Sequence, residues 1–212
     1  MFKFHVITGF PEMFQSFTSQ SIIKRAIEAE KISVNVINVR DFAEDKHHKT
    51  DDRPYGGGPG MVMYAEPILK AVEKVRGGRD IPVIITSCRG KKFSNVMAES
   101  ICHDPVLEMI IVCGHYEGID ARVKKILKAK EVSVGSFTLT GGELPAMVMI
   151  DAISRRLDGV LGNVGSIEES RTASGSVYTR PEILEWKGKK YRVPKILLSG
   201  NHSEMERWRE TH

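Results

Sequence analysis

Apolar residues recur along this chain in short blocks that switch between two periods. Phe2–Thr8 is a first strand, and Ile32–Val39 sets Ile and Val against Ser and Asn in the alternation of a half-buried strand. Pro82–Ser87 and Leu107–Cys113 are near-continuously apolar, the pattern of strands covered on both faces. Val132–Gly135 is a further β-branched strand. Between these blocks the spacing is helical. An amphipathic helix starts at Phe10-Pro11-Glu12-Met13 and buries Ile22, Ile23, Ala26 and Ile27, with Lys24, Arg25 and Glu28 outward. Further helices are predicted over about 65–75, from the end of Lys91-Lys92 to about Cys102, over about 121–127, and over 143–157. Alternation of strand and helix predicts an α/β fold, a mostly parallel sheet with helices on both faces.

Two stretches break the pattern. Residues 40–60 form a long polar loop that ends in Pro54-Tyr55-Gly56-Gly57-Gly58-Pro59-Gly60, and ordered loops of that length are usually functional. Near Gly159 the chain becomes Gly- and Ser-rich and weakly patterned. We therefore expect a domain over 1–160, a linker over 161–177 and a small helical C-terminal domain over 178–212 that holds both tryptophans, Trp186 and Trp208. Three strands end in small or glycine residues, at Thr86-Ser87, Cys113-Gly114 and Val134-Gly135. Open α/β sheets bind ligands in the crevice outside such carboxyl ends.

Composition narrows the class. The chain has 212 residues, 41% hydrophobic and 27% charged, with a net charge of +4, values ordinary for a globular domain that tolerates a polyanionic partner without demanding one. No apolar run reaches membrane-span length, and the N-terminus lacks the basic and small-residue marks of a secretion signal. Three cysteines with no C-x-x-C spacing argue against a disulfide framework or zinc site, so a cytoplasmic location is the expectation. His47-His48 has no further ligand at metal spacing and reads as a solvated pair. Neither G-x-G-x-x-G nor a P-loop is present, so the glycines suit a ligand held along its edges by backbone, such as an adenosine.

In Gly114-His115-Tyr116-Glu117-Gly118-Ile119-Asp120, Asp120 reads as a helix cap, while Glu117 is a candidate partner for a ligand hydroxyl or cation. Asp151 and Arg155 either pair at i, i+4 or leave Arg155 to stabilise charge on a substrate oxygen. Glu168 and Glu169 read locally as a solvated acidic pair.

Five stretches together resemble one family: Asp51-Asp52-Arg53-Pro54-Tyr55-Gly56-Gly57-Gly58-Pro59-Gly60-Met61, Cys113 through Asp120, Leu139-Thr140-Gly141-Gly142-Glu143-Leu144-Pro145-Ala146, Tyr178-Thr179-Arg180-Pro181 and Leu198-Ser199-Gly200-Asn201-His202. Their order and spacing are similar to the bacterial tRNA (guanine-N1)-methyltransferases, the TrmD family of the SPOUT class. The resemblance implies a parallel sheet whose C-terminal part forms a deep trefoil knot, against the usual rule. It implies a homodimer with active sites at the interface. The implied reaction moves a methyl group from S-adenosyl-L-methionine to N1 of the guanine directly 3′ of the anticodon of tRNA, with catalysis linked to Mg²⁺.

Carried over by position, the methyl donor would contact Ile85, Thr86 and Ser87, then Gly114, Tyr116 and Glu117, then Val134, Gly135, Ser136, Phe137, Thr138 and Leu139, with Gly141 and Gly142. A sulfonium methyl is already activated, so alignment is the main requirement. Guanine N1 carries a proton that a carboxylate must accept, and a cation near O6 would stabilise the charge that develops. The family's linker aspartate aligns with Glu169, its arginine with Arg155, and a further aspartate near the site with Asp51.

Three departures stand out. The linker reads Ile167-Glu168-Glu169-Ser170-Arg171, with glutamate for aspartate at the base position, no following phenylalanine, and Glu168 an alternative base. Ser87-Cys88-Arg89-Gly90 replaces the usual Ser-Pro-Gln-Gly. The chain ends at His212, where the family usually continues through more basic helix. These departures motivate a second reading, a tRNA- or S-adenosylmethionine-binding module without catalysis. Lys46, Arg53, Arg180, Arg207 and Arg209 are candidate phosphate contacts.

Overall fold

The computed structural model describes residues 1–161 and 176–211. In chain order the elements are β1 (Phe2–Thr8), a 3₁₀ turn (Pro11–Phe14), α1 (Gln15–Thr18), α2 (Ser21–Glu28), β2 (Ile32–Asn38) and a second 3₁₀ turn (Val39–Phe42). The short strands β3 (Asp51–Asp52) and β4 (Val62–Met63) flank the glycine loop, and α3 (Ala65–Arg76) follows. Then come β5 (Val83–Lys92), α4 (Asn95–Cys102), β6 (Glu108–Val112), α5 (Ala121–Leu127), β7 (Lys130–Ser133) and α6 (Glu143–Ser154). The C-terminal part holds β8 (Ile183–Trp186), β9 (Lys189–Arg192), a 3₁₀ turn (Lys195–Leu198) and α7 (His202–Thr211). The chain divides into two compact units, Met1–Gly162 and Asn163–His212.

The first unit is built on a five-stranded sheet in the order β2-β1-β6-β5-β7, parallel throughout. Successive strand residues point to opposite faces, and the core divides accordingly. Phe4, Val6, Ile84, Met109 and Ile111 pack on one face with Ile23 and Ala26 of α2, Ala98 of α4, and Ala146, Met149, Ile150 and Ile153 of α6. Ile7, Val83, Ile85, Ile110 and Val112 pack on the other with Ile68, Ala71 and Val72 of α3 and Val123 and Leu127 of α5. Burial on both faces explains the unbroken apolar runs of β5 and β6.

Three local expectations change. The single helix expected after β1 is a 3₁₀ turn and two helices, because Thr18 Oγ1 donates back to Phe14 O (2.9 Å) and Ser19 Oγ to Ser16 O (3.4 Å), competing with the backbone ladder. β5 does not stop at Ser87. Thr86 and Lys91 both face Val132, so residues 87–90 bulge from the strand, and a methyl on Gly90 would lie 2.7 Å from Glu131 O of β7. β7 in turn ends at Ser133, ahead of Val134-Gly135.

The C-terminal unit is described by itself. Its helix α7 is preceded by an antiparallel hairpin in which Ile183 pairs Arg192 and Trp186 pairs Lys189. Lys187 and Gly188 both have positive φ, the geometry of a tight two-residue hairpin turn. The rings of Tyr178 and Trp208 lie 6.1 Å apart within this unit.

Candidate functional site

Because β6, β5 and β7 are neighbours, the three glycine-marked strand ends lie side by side at the carboxyl edge of the sheet. Buried Thr86 links two of them: its Oγ1 donates to Val112 O (3.2 Å) and accepts from Gly114 N (3.3 Å). Beyond β7, Ser133 Oγ donates to Gly135 O (2.8 Å) and accepts from Gly135 N (3.3 Å). The Phe137 ring folds back so closely over Gly135 that a methyl there would lie 2.6 Å from its Cζ. From this edge the chain returns to β6, where Gly142 N donates to Gly114 O (2.8 Å) and Gly141 bridges His115.

Gly142 has an ordinary φ of −84°. It is required for room: a Cβ would lie 2.7 Å from Gly114 N, 2.8 Å from Cys113 Cα, and against Thr86 Oγ1. The turn after β6 needs a left-handed residue at Tyr116 (φ 56°), whose side chain is exposed. Glu117 lies over Gly60 of the glycine loop, where a Cβ would come within 2.6 Å of its Cγ and Oε1. Backbone bonds clip the two loops together: Glu117 N to Met61 O (3.0 Å), Met63 N to Gly118 O (2.9 Å) and Asp120 N to Met63 O (3.1 Å). Asp51 pairs Met63 across β3 and β4, so it belongs to this same clipped layer. Asp120 caps α5, accepting from Arg122 N (2.9 Å), as its position after the turn suggests.

Glu143 is a site feature not singled out from the sequence. At 2% exposure it is a buried carboxylate in the first turn of α6, and it accepts from Thr8 Oγ1 of β1 at 2.7 Å. His115 Nδ1 lies 3.7 Å from its other oxygen. A glutamate opening an otherwise apolar helix was the available signal. Beside it, burial raises the Cys113 thiol well above its usual range, with the Glu143 charge adding to the effect. Cys102 is pushed up to about 11, also by burial.

Not all candidates converge. Arg155 closes the far end of α6, about 20 Å from Gly142 at 1.5 Å per residue, so one chain does not bring it to the strand ends. Glu168 and Glu169 lie outside the described residues. In the loop 45–49, Asp45 accepts from His47 N (2.8 Å) and Lys49 N (2.7 Å), so the histidine pair belongs to a closed turn. Among the described residues no group of three or more metal-ligating side chains gathers, and no helix is long and apolar enough to cross a membrane. A separate groove lined by His5, Asn35, Phe42, Lys74 and Arg79 lies at the opposite edge of the sheet, beside β2.

The comparison with known proteins decides the family. The family model for tRNA (guanine-1)-methyltransferase TrmD matches residues 2–212. The chain belongs to the TrmD family. Among relatives, it is 50% identical over 210 residues to the tRNA (guanine-N(1)-)-methyltransferase of Caldanaerobacter subterraneus subsp. tengcongensis, covering 97% of this chain and 84% of the relative. It is 48% identical over 211 residues to that of Moorella thermoacetica, covering 96% and 82%. A crystal structure of tRNA (m1G37) methyltransferase from Aquifex aeolicus superposes with a TM-score of 0.82 at 38% identity, over all of this chain and 88% of that one. The TrmD architecture accounts for the parallel sheet and for the glycine-lined ends of β5, β6 and β7.

Proposed function

We propose that this TrmD-family protein transfers a methyl group from S-adenosyl-L-methionine to N1 of the guanine directly 3′ of the tRNA anticodon. The observation that carries the reading is the glycine cradle: at Gly135, Gly141 and Gly142 side chains or backbone already occupy the space a Cβ would need. These glycines let the three strand-end loops pack close together, and their backbone edges suit the flat, neutral adenosine of the donor. Ile85–Ser87, Gly114, Tyr116, Glu117, Val134–Leu139, Gly141 and Gly142 form its walls in this proposal. The donor supplies an activated sulfonium methyl, and the protein holds nucleophile and methyl in line.

The catalytic assignments follow from the same reading. Glu169 accepts the N1 proton, with Glu168 as the alternative, and Arg155 stabilises the charge developing on the guanine. Asp51 lies in the loop layer clipped to the Glu117 turn. Residues 161–177 serve as linker between a 1–160 donor domain and a 178–212 tRNA-contacting domain. The trefoil knot belongs to this proposal, supported by the return of the chain from the β7 edge to Gly114.

A homodimer completes the site. α6 is apolar on nearly every side, yet Leu144 and Val148 stay 50% and 49% exposed on the face that also carries Asp151 and Arg155. An all-round apolar helix belongs in an interior. A second copy on that face covers these residues and carries Arg155 toward the other copy's strand ends, which its own helix cannot reach. Cytoplasmic location and a role for Mg²⁺ in catalysis are part of the proposal.

The test is methyl transfer to tRNA transcripts that carry or lack a guanine 3′ of the anticodon. Transfer only to the guanine-bearing transcript supports the reading. Equal transfer to both rejects the specificity, and donor binding without transfer favours the binding-module reading raised by the glutamate linker.

A further inference from the structure

The couple of buried Glu143 and half-buried His115 sits beside the strand ends and takes no part in the reaction proposed above. Three segments remote in sequence meet at one carboxylate. Thr8 Oγ1 at the end of β1 donates to Glu143 Oε1 (2.7 Å), itself accepting from Phe10 N (2.9 Å). The other oxygen, Oε2, faces His115 Nδ1 at 3.7 Å. That nitrogen is buried and has no hydrogen-bond partner among the described residues. The His115 ring is held from the sides by Phe10 (centroids 4.7 Å) and by the edge of Tyr116 (4.9 Å). Gly141 leaves the space between them, since a Cβ there would lie 2.6 Å from His115 Nδ1.

A carboxylate only accepts, so a ring nitrogen turned toward it carries the proton. The first turn of a helix also favours negative charge. Together these favour the Nδ1–H tautomer of His115 facing Glu143. His115 stands between Gly114 and Tyr116, both in the proposed donor wall, so the ring's seat fixes the wall's shape.

We propose that Glu143 is a positioning residue for the donor pocket, acting through His115 to hold the 114–117 turn in its donor-binding shape. This rests on the donor pocket proposed above. Glu143→Gln is nearly isosteric and keeps an acceptor for Thr8, but sets an amide N–H₂ against Nδ1–H, donor against donor.

The experiment measures S-adenosylhomocysteine affinity by calorimetry, full turnover kinetics, and ¹⁵N shifts of the histidine ring nitrogens in wild type, Glu143→Gln and His115→Leu. Wild-type enzyme shows His115 as the Nδ1–H tautomer. In Glu143→Gln the tautomer changes, donor Kd and KM rise about tenfold, and kcat at saturating donor stays within about twofold, because two opposed N–H donors displace the ring that seats the turn. His115→Leu, which leaves the Glu143–Thr8 bond intact, weakens donor binding to a similar extent. Donor affinity within twofold of wild type in either folded variant overturns the proposal. If Glu143→Gln does not fold, His115→Leu alone decides. If wild type itself fails to bind S-adenosylhomocysteine, it is the donor site that fails.

Discussion

Gly142→Ala isolates the role of space in the strand-end cradle. Backbone conformation is not at issue, because φ at Gly142 is −84°. The added methyl would lie 2.7 Å from Gly114 N and 2.8 Å from Cys113 Cα, against ordinary heavy-atom contacts of ~3.5–4.0 Å. Both are backbone atoms at the end of a central strand and cannot rotate away. The third neighbour, Thr86 Oγ1, can turn only by giving up Val112 O and Gly114 N. Overpacking costs about 1–3 kcal/mol and each lost hydrogen bond about 0.5–1.5 kcal/mol. The stiffer unfolded chain offsets about 0.4–1 kcal/mol. A net loss of about 1–5 kcal/mol corresponds to a Tm drop of roughly 2–20 °C for a chain of this size. Donor affinity should fall about tenfold or more as β6 and α6 separate. Gly9→Ala is the control, since nothing lies within 4 Å of its Cβ position. Scanning calorimetry with and without S-adenosylhomocysteine reads both quantities. Equal Tm and equal donor shift in the two variants would refute the reasoning.

Other consequences can be measured as directly. Cys88 is exposed in the β5 bulge beside Ser87, whereas burial raises the thiol pKa of Cys102 to about 11 and pushes that of Cys113 well above its usual range. A thiol reagent near pH 8 should therefore label Cys88 first, and S-adenosylhomocysteine should slow that labelling; rapid loss of all three thiols in the native protein contradicts this. Burial lowers the His5 pKa below 6.5 even with Glu108 3.4 Å away, with Arg79 and Lys3 opposing its protonation. The unfolded chain then takes up more protons, so stability falls as pH drops below about 6.5. His5→Gln should flatten the Tm–pH curve between pH 5 and 7, and an unchanged slope would exclude His5. At donor concentrations too low to fill the weakened site, mixing Gly142→Ala chains with inactive Arg155→Ala chains should restore part of the activity through hybrid dimers that keep one intact site. No recovery in verified hybrids argues that each site is built within one chain.

Much of the fold was legible because its signals are local. Unbroken apolar runs such as Val83–Ile85 require cover on both faces, and α3 and α6 supply it. The β8–β9 hairpin was hidden because its turn is Lys187-Gly188, without the Asn-Gly or Asp-Gly that usually marks such turns, and its second strand is mostly charged. The continuation of β5 through Lys92 was equally hidden, since Lys91 and Lys92 are held by pairing to Val132 and Ser133 and not by apolar burial. At the site, glycines gave away the cradle. Glu143 did not, because its role depends on Thr8, 135 residues away in sequence. Arg155 shows the opposite limit: its identity was readable, but only the length of α6 reveals that it lies far from the strand ends of its own chain.

The central claim is that the ends of β5, β6 and β7 hold the methyl donor. Hydrogen exchange of the intact protein, measured with and without S-adenosylhomocysteine, tests this residue by residue. The account predicts slowed exchange at 85–90, 114–118 and 134–142, with no change at 35–42 and 71–79 around the groove beside β2. Protection confined to that groove, with the three strand ends unaffected, would contradict it.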